Sequence, residues 1–436
     1  MTDRAAPDDG SGTTAPRRLS TRETAERLGV KPETVYAYVS RGQLNSTRAP
    51  GGRGSTFDAA EVDALARRTG RREPPPAPGD LVFRTGITLI EGDRYYFRGV
   101  DATELAREYA YEEVAEWLWT GELRPGSRLT APGEALAAAR GAVDALPAHS
   151  SPTDRLRVAV IAAASADPFR FDLSRETVLA AARGLVPTLV GALPPAAGGA
   201  GERPEERDAG LARQLWSKLT ARPADAPFVT ALDGALALLI DHDLAASTLA
   251  ARVAASAHAH PYAVVSAGLG VLEGPLHGAA SGSAHRMLAE VLERGSAVPV
   301  VADHLRAGRR IPGLGHRLYR TEDPRAQALF ALLANVPQAA GALAAAHDVV
   351  ATTARHTPLP ANVDLALAVL SVSSGMAAEA GETVFAVSRT AGWIAHALEE
   401  YGERPLRMRP SGQYCGPRPP QPLPAAADAP SRRSAP

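Results

Sequence analysis

The chain has 436 residues, 45% apolar and 22% charged, enough for two or three domains around a sizeable core. Its formal net charge of −1 gives the whole chain no pull toward nucleic acid or membrane, and a single cysteine, Cys415, excludes an internal disulfide. No stretch reaches the roughly 18 uninterrupted apolar residues of a membrane span, and the polar first 18 residues lack the apolar run of a secretion signal, so the sequence predicts a cytoplasmic protein with no membrane partner.

Residues 1–16 read as a disordered tail. Residues 17–72 then carry twelve Lys/Arg against six Asp/Glu, a net +6, which leaves −7 for the rest of the chain. Such asymmetry hints at an end that faces nucleic acid. Within it, LSTRETAERLGVKPETVYAYVSRGQL (Leu19–Leu44) predicts two short helices. Ser20 with Glu23 forms a capping box for the first, Gly29 supplies the turn, and Pro32 suits the first turn of the second. Val35 and Val39 are expected in the core, with Lys31, Glu33, Tyr36 and Arg41 exposed. The Gly-rich RAPGGRGSTF (Arg48–Phe57) predicts a hairpin wing bearing Arg48 and Arg53, and Asp58 with Glu61 is expected to cap a third helix. The module, 17–70, resembles the winged helix-turn-helix of excisionases and mercury-regulator-type repressors. That resemblance implies DNA contact through Lys31, Tyr36, Arg41, Arg48 and Arg53. A small protein–protein module is the bland alternative.

A Pro-rich linker, 71–80, precedes the main domain at 81–415, and a Pro/Ala/Ser tail, 416–436, follows it. ITLIEGDRYYFRG (Ile87–Gly99) alternates like a small hairpin around Gly92. Beyond it the periodicity is helical: Glu104–Gly121 places Leu105, Tyr109, Val114 and Leu118 near one stripe. Further helices are expected over Thr153–Ala166, Arg175–Val190, Leu211–Leu219, Val229–Asp241, Ser247–Ala257 and Glu382–Tyr401, with a surface loop at Pro194–Pro204. Strand signals are nearly absent, so the fold class is mostly α.

Four neighbourhoods carry candidate chemistry. HPYAVVSAGLGVLEGPLHGAAS (His260–Ser281) sets His277 between glycines that permit close approach. IPGLGHRLYRTEDPRA (Ile311–Ala326) places His316 behind a Gly-rich turn and Arg325 nine residues later. PANVDLALAVL (Pro360–Leu370) opens a helical run with Asp364, and Asp241–Asp243 puts His242 at a helix end. Taken singly, a histidine near a helix end is more often a core or capping residue, which sets aside His258, His260 and His285. The Asp–Arg of DPR is usually a structural ion pair. His277 and His316 lack the spacing and acidic partners of a zinc site, so no metal is expected.

Together the motifs GPLHG and GxGHRxYxxxDPRA, with FAVSRTAGWIAHALEEY and MRPSGQYCG, resemble the citrate synthase family from about Thr85 to Gly416. The resemblance implies a two-lobed all-helical fold, the large lobe about 81–278 and 371–415 and the small lobe about 279–370. It implies condensation of acetyl-CoA with oxaloacetate, the citrate-forming acyltransfer of the tricarboxylic acid cycle, with no cofactor beyond acetyl-CoA as co-substrate. Asp364 would be the base, His277 the donor to the thioester oxygen, and His316 the donor to the ketone. A thioester methyl is so weak an acid that base and enolate donor are both required. Arg325, Arg389 and Arg409 would hold the two carboxylates with His242 assisting, and Arg320 would contact coenzyme A. The family's last arginine reaches the partner subunit, which implies a homodimer.

The chain departs from the family pattern at Ser281 (usually Asn), Asp243 (usually Glu), Ser411 (often basic), and in a slightly short segment between Arg325 and Asp364. Two alternatives stay open: a 2-methylcitrate synthase using propionyl-CoA, and a DNA-binding regulator that senses oxaloacetate or acyl-CoA. The intact triad argues against a purely sensory role, since a sensor has no need of Asp364.

Overall fold

A computed structural model describes residues 18–28, 30–40, 43–48, 54–68, 83–196, 209–274, 280–319, 321–408 and 415–416. The chain divides into two compact units, Met1–Arg84 and Thr85–Pro436.

In the first unit the elements run β1 (Arg18–Ser20), α1 (Thr21–Leu28), α2 (Pro32–Ser40), β2 (Ser46–Arg48), β3 (Ser55–Asp58) and α3 (Ala59–Arg68). The predicted capping box is present: the Ser20 amide donates to Glu23 Oε2 at 2.7 Å and the Glu23 amide to Ser20 Oγ at 3.3 Å. β2 and β3 form the antiparallel wing with Thr47 opposite Thr56. A third strand, β1, pairs with the other edge of β3, Leu19 opposite Phe57. At three residues it is too short to show a period of two. Leu19, Leu28, Val35, Leu44, Phe57 and Val62 close the core.

Two expectations are corrected here. Tyr38 is the second buried residue of α2 and Val39 only packs against the core edge, since three and four residues both approximate one turn. Asp58 caps α3, accepting from the amides of Ala60 and Glu61 at 2.8 and 3.3 Å. Glu61 does not complete the box, because its carboxylate takes a bond from Asn45 at 2.7 Å. Gly29, Arg41 and Arg53 lie outside the described residues.

The second unit opens with an antiparallel meander, β4 (Thr88–Glu91), β5 (Arg94–Phe97) and β6 (Val100–Asp101). Buried Tyr95 and Phe97 pack edge to face, ring centroids 5.4 Å apart. The stripe predicted over 104–121 is two helices, α4 (Ala102–Glu108) and α5 (Tyr111–Thr120). Tyr109 sits in extended backbone between them (φ −130°, ψ 146°) and Ala110 caps α5. An apolar spacing can persist through a break when both helices face one core.

Then follow α6 (Gly133–Asp144), α7 (Pro152–Ala166), α8 (Arg175–Ala192), α9 (Leu211–Leu219), α10 (Ala226–Leu239), α11 (Ala246–Ser256), α12 (Pro261–Leu272), α13 (Ala280–Arg294), α14 (Ala297–Arg306), α15 (Pro324–Leu333), α16 (Ala340–Ala354), α17 (Val363–Ser373) and α18 (Ala380–Glu400). α10, α17 and α18 are apolar on most of their circumference and form the centre, as all-round apolar helices must. Each fully buried leucine there contributes about 1.5–3 kcal/mol.

α18 crosses the end of α10 at backbone contact. A Cβ at Gly392 would stand 2.0 Å from the Ile240 carbonyl oxygen, so no other residue fits. Arg389 and His396, three residues before and four after Gly392, are thereby set against Asp241 and His242. No single helix among the described residues is long and apolar enough to cross a membrane.

Candidate active site

Two loops are stitched together to build the site. The Gly315 amide donates to the Pro360 carbonyl at 2.7 Å, the Asn362 amide to the Gly313 carbonyl at 2.9 Å, and the Asn362 side chain to the Gly315 carbonyl at 2.9 Å. Gly313 has φ +80°, and a Cβ there would meet Leu365 Cβ at 2.8 Å, so turn and close approach both demand glycine. Asn362 is also the N-cap of α17, accepting from the Asp364 amide at 3.0 Å. His316 is thus carried beside Asp364 at the helix start.

Asp323 braces this arrangement from below. It is fully buried, caps α15, and binds Arg325 in a fork: Nε to Oδ1 at 3.0 Å and Nη2 to Oδ2 at 2.8 Å. It also accepts from the Val363 amide at 3.1 Å, which fixes the start of α17. The bland reading of DPR is therefore true as far as it goes. Yet Arg325 Nη2 also lies 3.3 Å from His316 Nε2, inside the site.

The tautomer of His316 follows from its other nitrogen. Nδ1 faces the Leu318 amide, a donor, at 3.1 Å, so Nδ1 holds the lone pair and Nε2 carries the hydrogen. Arginine has no acceptor, so His316 Nε2–H and Arg325 cannot bond each other. Two donors 3.3 Å apart call for an oxygen acceptor between them. The His242 ring stands edge-on to His316, 5.2 Å between centroids, with its Nε2 2.7 Å from the Tyr319 hydroxyl.

Arg389 on α18 completes the cationic wall. It is 1% exposed, its Nε donates to the Leu239 carbonyl at 2.9 Å, and both Nη atoms are buried without a hydrogen-bond partner. Burial pulls its pKa down to about 10 despite Asp241 nearby. Unfilled buried donors cost on the order of 1–3 kcal/mol each, more when charged. A folded protein that retains such a cost points to an anionic ligand.

The remaining groups are tuned in the matching direction. Burial pushes the Asp364 carboxyl up to about 6, with Arg325 opposing and Asp323 adding. Burial, then Arg325, holds His316 below the ordinary histidine value. Burial, Arg325 and Arg389 hold His242 well below it. Both imidazoles are therefore neutral donors at pH 7, and Asp364 is a base poised near neutrality.

Of the residues predicted from sequence, His242, His316, Arg325, Arg389 and Asp364 come together here, while His277, Arg320 and Arg409 lie outside the described residues. His260 caps α12, accepting from the Ala263 amide at 3.1 Å, and His285 bonds Ser371 at 2.8 Å, as expected of structural histidines. Sequence reading gave no role to Tyr319 and saw Asp323 only as the ion-pair partner of Arg325, although both stand inside the His316 motif. Asn362 was missed as well; an Asn just before an apolar helical run is the N-cap signal that could have found it.

A cavity of about 490 Å³ adjoins His316, with Arg309, Arg310, Arg317, His356 and Leu359 in its walls. A larger one, about 560 Å³, lies between α6, α7 and α8 and shares none of the site's residues.

Residues 79–411 match the family model for the citrate synthase C-terminal domain, and residues 18–70 match a helix-turn-helix domain model. The chain is 33% identical over 360 residues to the citrate synthase of Haloferax volcanii, spanning 78% of this chain and 94% of that one. It is 27% identical over 358 residues to the 2-methylcitrate synthase of Mycobacterium tuberculosis, 78% and 89% of the two chains. The crystal structure of citrate synthase from Thermotoga maritima superposes with a TM-score of 0.63 at 28% identity, covering 79% of this chain and 96% of that one. With three quarters of its length matched in sequence and fold, this chain belongs to the citrate synthase family.

Proposed function

We propose that the second unit condenses acetyl-CoA with oxaloacetate and hydrolyses the citryl-CoA it forms. The observation that carries this reading is the set of donors left open at one point: His316 Nε2–H, Arg325 and the two Nη atoms of Arg389. A dicarboxylate with a ketone between its carboxyl groups supplies the missing acceptors. Arg325 and Arg389, with His242 and Arg409, hold the carboxylates, and His316 polarises the ketone oxygen.

Asp364 takes a proton from the thioester methyl while His277 donates to the thioester oxygen. The methyl carbon then bonds to the ketone carbon, and His316 gives its proton to the new alkoxide. Water splits the thioester and releases the coenzyme A thiol. The Arg-rimmed cavity beside His316 suits the coenzyme's phosphates, a contact to which Arg320 of the same motif is also assigned. A homodimer fits the apolar Ile161, Phe169 and Val271 exposed on and beside α7 and α12.

Thiol release by the purified protein, dependent on oxaloacetate, tests the assignment. The ratio of rates with acetyl-CoA and propionyl-CoA decides between citrate and 2-methylcitrate formation. Oxaloacetate binding without any release would overturn the enzyme and favour a metabolite-sensing regulator.

The first unit supports a second reading, duplex DNA as a partner. The net +6 of residues 17–72, a helix-turn-helix match and the exposed Lys31, Tyr36 and Arg48 favour it. Binding of the full chain to DNA that weakens as salt rises is the expected result. No salt-dependent binding would remove the basis for it.

A further inference from the structure

Beyond Arg389, the proposed reaction leaves unused a run of buried charged groups along the same face of α18. Arg389, His396 and Glu400 are seven and four residues apart, so they share that face. Asp241, Arg252, His396 and Glu400 are each no more than 1% exposed. Burying so many ionisable groups is costly unless each is paired.

The pairing runs end to end. The Thr88 hydroxyl donates to Asp241 Oδ2 at 2.6 Å. Asp241 Oδ1 faces His396 Nε2 at 3.2 Å, out of line for a hydrogen bond. His396 Nδ1 faces Arg252 Nη1 at 2.8 Å. Arg252 donates onward to Glu399 at 2.8 Å and to Glu400 at 3.2 Å. Glu400 in turn grips Arg407 through two bonds of 2.7 Å. Glu399 also accepts from the Gly86 amide at 2.8 Å, which ties in the chain leading to β4.

The chemistry of the donors fixes the middle of this chain. Arg252 can only donate, so His396 Nδ1 must accept and the ring hydrogen must sit on Nε2, toward Asp241. His396 is thereby a bridge between a buried cation and a buried anion. With Arg389, the chain holds three arginines and three carboxylates and is balanced internally. Asp241 stands directly before His242 and offsets the charge of Arg389.

We propose that His396, Arg252 and Glu400 are positioning residues that set Asp241, and through it Arg389 and His242, together with the anchoring of Arg407. The substrate's cationic wall and the segment two residues before Arg409 are then held by one network. Losing a link lets Arg389 turn toward Asp241 and away from the ligand. This inference rests on the oxaloacetate assignment, which wild-type turnover tests by itself.

The experiment measures the oxaloacetate Kd by calorimetry, and the KM and kcat, for His396→Leu, His396→Gln and Arg407→Ala beside the wild type. His396→Leu is expected to raise Kd and KM about tenfold with a smaller change in kcat. His396→Gln, whose side-chain amide keeps an N–H that can face Asp241, should recover most of that loss. Arg407→Ala, at the accessible end, should raise both by a few-fold. A merely structural network predicts a lower active fraction with Kd and KM unchanged in the folded protein, and that result overturns the proposal. Should His396→Leu fail to fold, Arg407→Ala decides alone: a raised Kd supports the network and an unchanged Kd overturns it.

Discussion

The two units of the chain use arginine in opposite ways. In the first, apart from Arg27, which Asp63 holds in a fork at 2.6 and 2.8 Å, the described basic side chains are exposed: that of Arg22 is 87% exposed and meets Glu26, one turn along α1. In the second, Arg252, Arg325 and Arg389 are buried within a few per cent of completely, each aimed by a carbonyl or carboxylate. Exposed charge acts by density, is screened by salt, and tolerates loss of one member. Buried charge acts by direction, and losing one member strands its partner. The same residue type thus serves attraction at one end of the chain and recognition at the other.

The comparison breaks most sharply at Asp364. Asp364→Asn keeps the shape and removes the base, so turnover should fall about 10²–10⁴-fold with oxaloacetate affinity largely kept. Its stability should move the other way. A folded pKa of about 6 lies above the unfolded value, so the folded wild type binds more protons between the two. Stability is therefore highest below about pH 4 and is lost as pH rises toward 6, up to about 3 kcal/mol for two units, and less because the residue is partly accessible. At pH 7.5 thermal melting should place Asp364→Asn above the wild type.

The two site arginines separate next. Arg389→Ala removes donors without hydrogen-bond partners, so it should cost oxaloacetate binding about 2–5 kcal/mol by calorimetry, with a smaller loss of melting temperature from leaving Asp241 less compensated. Arg325→Ala also strands fully buried Asp323, which caps α15 and holds Val363, so it should lose about 3–5 kcal/mol of stability as well. Equal melting temperatures for the two variants would contradict the pairing drawn here.

A smaller effect follows from pH alone. Asp364 must be ionised to take a proton, so kcat/KM should fall tenfold per unit below about pH 6 and level off above it. A limb near pH 4 would mean the carboxyl is more solvated than its burial implies.

How much of this was legible depended on where the signal lay. Helices such as Leu211–Leu219 showed in the sequence because a surface stripe alternates with polar residues. The break at Tyr109 did not, because α4 and α5 share a buried face and backbone angles leave no periodic mark. His316, Arg325 and Asp364 were readable as members of long motifs. The reach of Asp323 was not, since its bond to the Val363 amide ties the start of α15 to the start of α17 across forty residues, a fact of the tertiary structure. Likewise the sequence names Arg389 but cannot say that its Nη atoms lack partners.

The smallest expected effect tests the exposed half of the comparison. Arg48 lies exposed on β2 at the wing, and Lys31 stands exposed before α2. If each meets one phosphate, Arg48→Ala or Lys31→Ala should reduce the slope of log affinity against log salt by about 1. The loss should be alike on all duplex sequences, because phosphate contacts position and base contacts specify. The double variant should lose about twice the slope, since screened charges at separate sites add. Strong non-additivity between them would mean that the basic end, too, works by direction. The contrast between the two units would then be one of location, and the wing would be reading a shaped ligand as the α18 face does.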